Sequence, residues 1–171
     1  FFPDKKEKEK RFRNDLSVSL GTLDISPLEM AVAFGSFSND GKIIRPVLIK
    51  RILDKSGKTI YSSENKDEFH LKIPSERIAI SPDASEVMVS IMKSSANASG
   101  FRSTGIKSEI AGKTGTTNDY KDAWFIGTRP KFSMAVWVGY DDQSYGMGNR
   151  GMGAVFAAPL WGKIGRKIEE L

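Results

Sequence analysis

The residues best suited to chemistry lie in one short stretch, Lys113-Thr114-Gly115-Thr116, at the edge of an apolar run. The Lys113 ammonium can bind a substrate carboxylate, and the hydroxyls of Thr114 and Thr116 can hydrogen-bond the same group. The backbone N–H of Thr116 is a candidate donor to an oxyanion, and Gly115 lets a ligand approach the backbone closely. Strand alternation places Lys113 and Thr116 on opposite faces, so both reach one cleft only if this is an edge strand and the cleft runs along that edge.

The sequence around this stretch carries a family resemblance. Lys-Thr-Gly is one of three signatures of penicillin-binding proteins and serine β-lactamases, beside Ser-x-x-Lys and a Ser-x-Asn-type triplet. Residues 112–127 (GKTGTTNDYKDAWFIG) and 135–142 (AVWVGYDD) closely resemble the transpeptidase domain of class A penicillin-binding proteins. Further matching patches are LGT at 20–22, SPLEMA at 26–31, NDG at 39–41 and AAPLW at 157–161. The resemblance covers almost the whole chain, as the C-terminal half of such a domain.

This resemblance implies part of a peptidoglycan D,D-transpeptidase, which cross-links stem peptides by acylating a serine with a D-Ala-D-Ala peptide and is inhibited by β-lactams. It makes Lys113 a catalytic residue and Thr114, Gly115 and Thr116 substrate-binding residues. The nucleophilic serine and its lysine are expected before Phe1, in the upstream half of the domain, together with a glycosyltransferase domain and an N-terminal membrane anchor. The implied location is the outer face of the bacterial cytoplasmic membrane, and neither a cofactor nor a metal is expected.

Other functions stay open at this stage. A D-Ala-D-Ala carboxypeptidase, a β-lactamase or a β-lactam sensor shares the fold, although the continuation from Asn118 to Gly127 favours a class A transpeptidase. A non-catalytic binding module that kept the strand and lost the chemistry is the alternative from another class.

Three short motifs invite rival interpretations. Ser90-Ile91-Met92-Lys93 fits Ser-x-x-Lys and residues 95–97 fit Ser-x-Asn, but helical spacing puts Ser90 and Lys93 on a solvated face, so both matches are interpreted as coincidences. Gly112-Lys113-Thr114 resembles the end of a phosphate-binding loop, yet lysine stands at 107 where that loop needs glycine. Residues 146–151 form a Gly-x-Gly-x-x-Gly run with no βαβ unit to follow, which predicts a surface loop.

The composition sets outer limits on function. A chain of 171 residues with 39% hydrophobic and 27% charged residues is typical of one globular domain. The absence of cysteine excludes disulfides, thiolate metal sites and a cysteine nucleophile, and the one histidine, His70, is predicted to be a surface residue in a polar segment. The net charge of +5 is modest, and the mixed signs of residues 5–11 do not indicate nucleic-acid binding.

Periodicity and turn residues predict an α+β fold, an antiparallel sheet flanked by helices, with a mobile lead-in over 1–15 and the domain over 16–171. A helix capped by Ser26 is expected to bury Met30, Ala33, Phe34 and Phe37, and one from Pro82 to bury Ala84, Val87, Met88, Ile91, Met92 and Ser95. A hairpin of 43–53 with 58–61, a polar segment over 62–74, a loop over 94–108 and strands over 110–116, 122–127 and 132–140 follow from the composition. A final helix from 157 should bury Leu160, Trp161, Ile164 and Ile168.

Overall fold

The structure is a computed structural model that describes residues 15–44, 46–63, 77–99, 104–106 and 109–170. The helices within these ranges are α1 (Pro27–Phe37), α2 (Pro82–Ser99) and α3 (Ala157–Glu169). The strands are β1 (Lys42–Ile43), β2 (Arg51–Leu53), β3 (Thr59–Ser62), β4 (Arg77–Ile78), β5 (Ala111–Thr116), β6 (Asp122–Arg129) and β7 (Phe132–Gly139). The predicted α+β class is confirmed. Among the described helices, none combines the length and the apolar character needed to cross a membrane.

The main sheet is an antiparallel meander in the order β5-β6-β7, as the three apolar runs predicted. Its register pairs Thr114 with Phe125 and Phe125 with Val136, so these three side chains share one face. Helix α3 covers that face. Helix α1 covers the opposite face, where the Ser133 hydroxyl donates a hydrogen bond to the carbonyl of Ala31 at 2.8 Å. Helix α2 lies along β5.

Helix α3 is anchored by Trp161, which is fully buried. Its ring meets Phe125 edge-to-face at 5.4 Å between centroids, and its indole N–H donates to the Met134 carbonyl at 2.8 Å. The predicted stripe is only partly correct, because Leu160 is 42% and Ile164 39% exposed. The helix instead buries small residues beside the tryptophan, namely Ala157, Ala158, Gly162 and Gly165. One large ring fills the space over the sheet, so its neighbours on the helix must be small.

Gly162 offers a direct test of this close approach, because a Cβ at this position would overlap the carbonyl oxygen of Thr104. Gly162→Ala is expected to lower the free energy of unfolding by about 3 kcal/mol, since overpacking against backbone outweighs the gain in helix propensity. Gly35→Ala is the matched control, as Gly35 also lies within a helix and its Cβ would meet its three nearest neighbours, atoms of Ser133 and Ile44, at ordinary distances of 3.4–4.0 Å. Urea unfolding of both variants measures the difference, and equal stabilities would contradict the packing argument.

The buried face of α2 agrees with the predicted one only in part. Met92 is buried as predicted, but Val87 is 59% and Ile91 57% exposed, and Ser85 and Ala96 are buried instead. The Ser85 hydroxyl donates to the carbonyl of Phe37 at 2.6 Å, which ties the start of α2 to the end of α1. Apolar periodicity identified an apolar stripe. It could not show that the hydrogen bond of a serine would decide which face of the helix is buried. Helix α2 also extends to Ser99, so the predicted loop over 94–108 is helical at its start.

The capping box that opens α1 is confirmed: the Ser26 hydroxyl accepts from the Glu29 N–H, and the Glu29 carboxylate accepts from the Ser26 N–H. Its buried face was predicted only in part, because Ala33 is exposed, whereas Ser36 is buried and Gly35 is buried beside Ser133 of β7.

Pairing of Ile52 with Tyr61 confirms the predicted hairpin, but residues 43–53 are not one strand. Lys42 and Ile43 pair instead with β4, a contact that local sequence could not indicate. The predicted lead-in, apart from Asp15, and most of the polar segment with His70 lie outside the described residues.

Candidate functional site

Strand β5 carries the four predicted site residues and lies at an edge of its sheet. In the part of the chain that the structure describes, β5 pairs with β6 alone, and the register runs without interruption from Ala111–Thr128 to Thr116–Ala123. Of the two conditions that sequence alternation imposed, the edge position of the strand is therefore met; that a cleft runs along this edge stays a prediction.

The hydrogen-bonding phase of this ladder decides which backbone groups face the open edge. Thr117 N–H donates to the carbonyl of Asp122 at 3.2 Å, which makes that pair a hydrogen-bonded one. Because hydrogen-bonded and non-hydrogen-bonded pairs alternate in an antiparallel ladder, Lys113 and Gly115 direct their backbone groups toward β6. Thr114 and Thr116 direct theirs away from the sheet. The Thr116 N–H that sequence reasoning singled out thus points off the open edge.

Lys113 reaches the same edge with its side chain. Its ammonium donates a hydrogen bond to the carbonyl oxygen of Thr114 at 2.9 Å, and the side chain is exposed. Because that carbonyl is directed away from β6, the ammonium lies on the same open edge toward which the Thr116 N–H is directed. A positive charge and a backbone donor on one edge suit an anionic group, either a carboxylate or a developing oxyanion.

The two threonine side chains lie on the other face of β5, the one covered by α3. The Thr116 hydroxyl accepts a hydrogen bond from the Gly153 N–H at 3.1 Å, so it is tied to the glycine-rich loop over 143–153. Thr114, two residues earlier on the same face, is half-buried. The structure therefore directs the Lys113 side chain and the Thr116 N–H to the same open edge, and places the threonine hydroxyls on the face that α3 covers.

The glycine-rich loop packs on the end of β5 and the turn that follows it. A Cβ at Gly153 would overlap the Trp124 carbonyl and lie 2.7 Å from the Gly115 carbonyl, so only glycine fits over this part of the sheet. Met147 N–H donates to the Tyr120 carbonyl at 2.9 Å. The formal Gly-x-Gly-x-x-Gly run at 146–151 itself packs on the turn after β5, since a Cβ at Gly146 would lie 2.5 Å from the Asp119 carbonyl oxygen.

The turn between β5 and β6 holds features that sequence reasoning missed. Asp119 and Tyr120 both have positive φ, at 59° and 55°, a conformation that is costly outside glycine. Asp122 places its carboxylate between Thr117 and Trp137, with hydrogen bonds of 2.9 and 2.8 Å. An acid that opens a strand directly after a turn was the available signal, but its partner on β7 could be identified only from the fold.

In the Ser90–Lys93 motif, the lysine forms an ion pair with a residue outside the motif. The Lys93 ammonium contacts the Glu109 carboxylate at 2.7 Å, just before β5 begins. That hydrogen bond, together with the charge of Lys93, lowers the pKa of Glu109. Ser90 is exposed on α2, as the solvated face predicted. Lys93 thus ties α2 to the site strand, which is an adequate structural role for it.

Comparison with known families matches residues 3–158 to the model described as the penicillin-binding protein transpeptidase domain. Penicillin-binding protein 1A of Aquifex aeolicus is 34% identical over 145 residues, which is 85% of this chain and 19% of that protein. The Neisseria lactamica protein of the same name is 34% identical over 154 residues, covering 85% of this chain and 18% of its own length. The chain thus spans about a fifth of the length of these relatives.

Solved structures agree on the fold. Penicillin-binding protein 1A from Haemophilus influenzae superposes with a TM-score of 0.78 at 27% identity, over 93% of this chain and 28% of that one. PonA1 from Mycobacterium tuberculosis, solved in complex with penicillin V, gives a TM-score of 0.73 at 21% identity, over 94% of this chain and 44% of that one.

Proposed function

The chain belongs to the penicillin-binding protein transpeptidase family, and from this membership we propose that it forms the Lys-Thr-Gly side of the cleft of a peptidoglycan D,D-transpeptidase. The reaction acylates a serine with a D-Ala-D-Ala stem peptide and passes the acyl group to an amine, and β-lactams inhibit it. The observation that supports this most is the open edge of β5, where the Lys113 ammonium bonds the Thr114 carbonyl and toward which the Thr116 N–H is directed.

Each site residue has a role in this proposal. Lys113 binds the substrate carboxylate and hydrogen-bonds a serine of the site, because an exposed ammonium can form charge-assisted hydrogen bonds. In this proposal the hydroxyls of Thr114 and Thr116 reach the carboxylate from the α3 face of β5, beside the open edge. The Thr116 hydroxyl accepts from the Gly153 N–H and so keeps its own hydrogen to donate. Gly115 allows the ligand to lie against the backbone, and the Thr116 N–H donates to the oxyanion of the tetrahedral intermediate. No step requires a cofactor or a metal.

The nucleophilic serine and its lysine are proposed to lie in an upstream half of the same domain, which closes the cleft over β5. A glycosyltransferase domain and a membrane anchor complete the protein in this proposal, and the transpeptidase acts on the outer face of the cytoplasmic membrane. The exposed faces of α2 and α3 are available for contact with such upstream parts.

Intact-mass analysis of the full-length protein with and without a penicillin tests the proposal. A covalent adduct is expected, mapping by peptide digestion to a serine upstream of these residues. Hydrolysis of the adduct within seconds would indicate a β-lactamase, and reversible binding with no adduct would indicate a non-catalytic module. Either result would overturn the transpeptidase assignment. With a D-Ala-D-Ala stem peptide as acyl donor, transfer of its acyl group from the serine to the amine of an added D-amino acid would separate a transpeptidase from a carboxypeptidase.

Ser90→Ala supplies a second test of where the nucleophile lies. The variant is expected to form the same adduct at a rate within about twofold of the unmodified protein, because surface substitutions away from a site are usually near neutral. Loss of the adduct in this variant alone would show that Ser90 is the nucleophile and that the site has been placed on the wrong element.

A further inference from the structure

Asp122 uses every one of its polar groups to hold the end of the site strand. Its Oδ2 accepts from the Thr117 hydroxyl at 2.9 Å, and its own N–H donates to that hydroxyl oxygen at 2.8 Å. Its carbonyl accepts from the Thr117 N–H, and its Oδ1 accepts from the Trp137 indole N–H at 2.8 Å. Thr117, the residue that directly follows the Thr116 donor, is thereby tied through Asp122 to the far strand β7.

From these contacts we propose that Asp122 is a positioning residue, which fixes the direction of the Thr116 N–H through Thr117. The inference rests on the proposed function, in which that N–H is an oxyanion donor. It assigns Asp122 no contact with substrate. Its effect is on how rigidly the donor is aimed.

The Thr116 N–H needs a positioning residue because the residue before it is Gly115. The peptide unit that carries the Thr116 N–H joins Thr116 to a glycine, and glycine leaves its backbone torsions soft. A Cβ at Gly115 would touch only Trp124, at 3.1 Å. On one side this peptide is held by the Gly115–Trp124 pair of the ladder. On the other side the next rung is the long 3.2 Å bond between Thr117 and Asp122, and the side-chain hydrogen bonds of Asp122 reinforce that rung.

The turn between Thr117 and Asp122 makes this reinforcement by Asp122 more important. Asp119 and Tyr120 both adopt positive φ, which favours relaxation of the turn. The glycine-rich loop over 143–153 packs on this turn, because Gly151 lies against Tyr120 and the Met147 N–H donates a hydrogen bond to the Tyr120 carbonyl. Without Asp122, the strain of the turn would act directly on the last rung of β5.

The test measures acylation of the full-length protein by a fluorescent penicillin, separating K, the dissociation constant of the non-covalent complex, from k2, the acylation rate constant. Asp122→Ala and Thr117→Val are each expected to lower k2 about 10-fold at unchanged K, less than the 10²- to 10³-fold for complete removal of an oxyanion donor. Thr117→Ser keeps the hydroxyl and is expected to retain k2. The double variant should lose no more than either single variant, since both break one unit.

Asp54→Ala is the matched control for loss of a well-bonded turn. Asp54 accepts hydrogen bonds from the Ser56 N–H, the Ser56 hydroxyl and the Lys58 N–H at 2.6–2.9 Å in the β2–β3 hairpin. This variant should lower the urea midpoint and leave k2 within about twofold, as expected for a distant site.

Two results would overturn the positioning role: an Asp122→Ala protein that acylates with unchanged k2, or losses from Asp122→Ala and Thr117→Val that multiply as independent effects. Both are distinct from failure of the proposed function, in which the unmodified protein would form no covalent adduct.

Discussion

Thr116→Pro is expected to lower the acylation rate constant k2 by about 10²- to 10³-fold, because proline has no N–H to donate to the oxyanion. The fold should tolerate the change. The Thr116 N–H points off the open edge of β5, so no hydrogen bond of the ladder is lost, and edge positions of this kind are where sheets accept proline. The preceding Gly115 is already extended in the strand, as a residue before proline prefers.

Thr116→Val separates the N–H from the hydroxyl. Valine keeps the backbone donor and removes only the oxygen that accepts from Gly153 N–H. This variant should weaken the non-covalent complex by at least about 10-fold and leave k2 nearly unchanged, because the hydroxyl proposed to bind the substrate carboxylate is lost, and a hydrogen bond to a charged group is worth about 1.5–3 kcal/mol. Stopped-flow acylation of both variants gives the comparison. Equal k2 values for the proline and valine variants would remove Thr116 N–H from the mechanism.

Local patterns in the sequence predicted the parts of the fold that are themselves local. The capping box of Ser26 with Glu29 involves residues three apart, and the runs that became β5, β6 and β7 are separated by short turns. These elements carry the site, so the placement of Lys113 and Thr116 on a strand was available before the structure.

Errors arose where a contact joins distant parts of the chain. The orientation of helix α2 is set by the hydrogen bond from Ser85 to Phe37, 48 residues earlier, and Val87 and Ile91 remain exposed. The pairing of β1 with β4 likewise links residues far apart in sequence. Periodicity reports that a face is apolar, but which face is covered depends on what else reaches it.

The candidate site divides in the same way. Residue types identified Lys113, Thr114, Gly115 and Thr116, whereas the direction of each backbone group depends on the phase of the ladder with β6. That phase follows from the single bond between Thr117 and Asp122, which no local pattern fixes. The hydrogen bond from the Trp137 indole to Asp122 could not be predicted for the same reason, since it joins two strands.

Lys113→Ala is expected to lower the acylation efficiency k2/K by about 100-fold, which corresponds to the loss of a charge-assisted hydrogen bond of up to about 3 kcal/mol. Most of the loss should fall on K, because the ammonium is proposed to bind a carboxylate already present in the ground state. Lys113→Arg should recover only part of it. The guanidinium keeps the charge but is too broad to repeat a point contact beside the Thr114 carbonyl, where the ammonium lies at 2.9 Å.

Lys93→Ala is the matched control, because Lys93 is also a lysine that packs beside β5 but is committed to Glu109. Its removal should leave k2/K within about twofold, since exposed ion pairs contribute little. Raising the salt concentration should weaken binding in the unmodified protein and have less effect in the Lys113→Ala variant, as screening acts on the charge that was removed. If Lys113→Ala and Lys93→Ala acylate alike, the cation at the open edge of β5 is not what binds the substrate, and the anionic group must be held by the upstream half of the cleft.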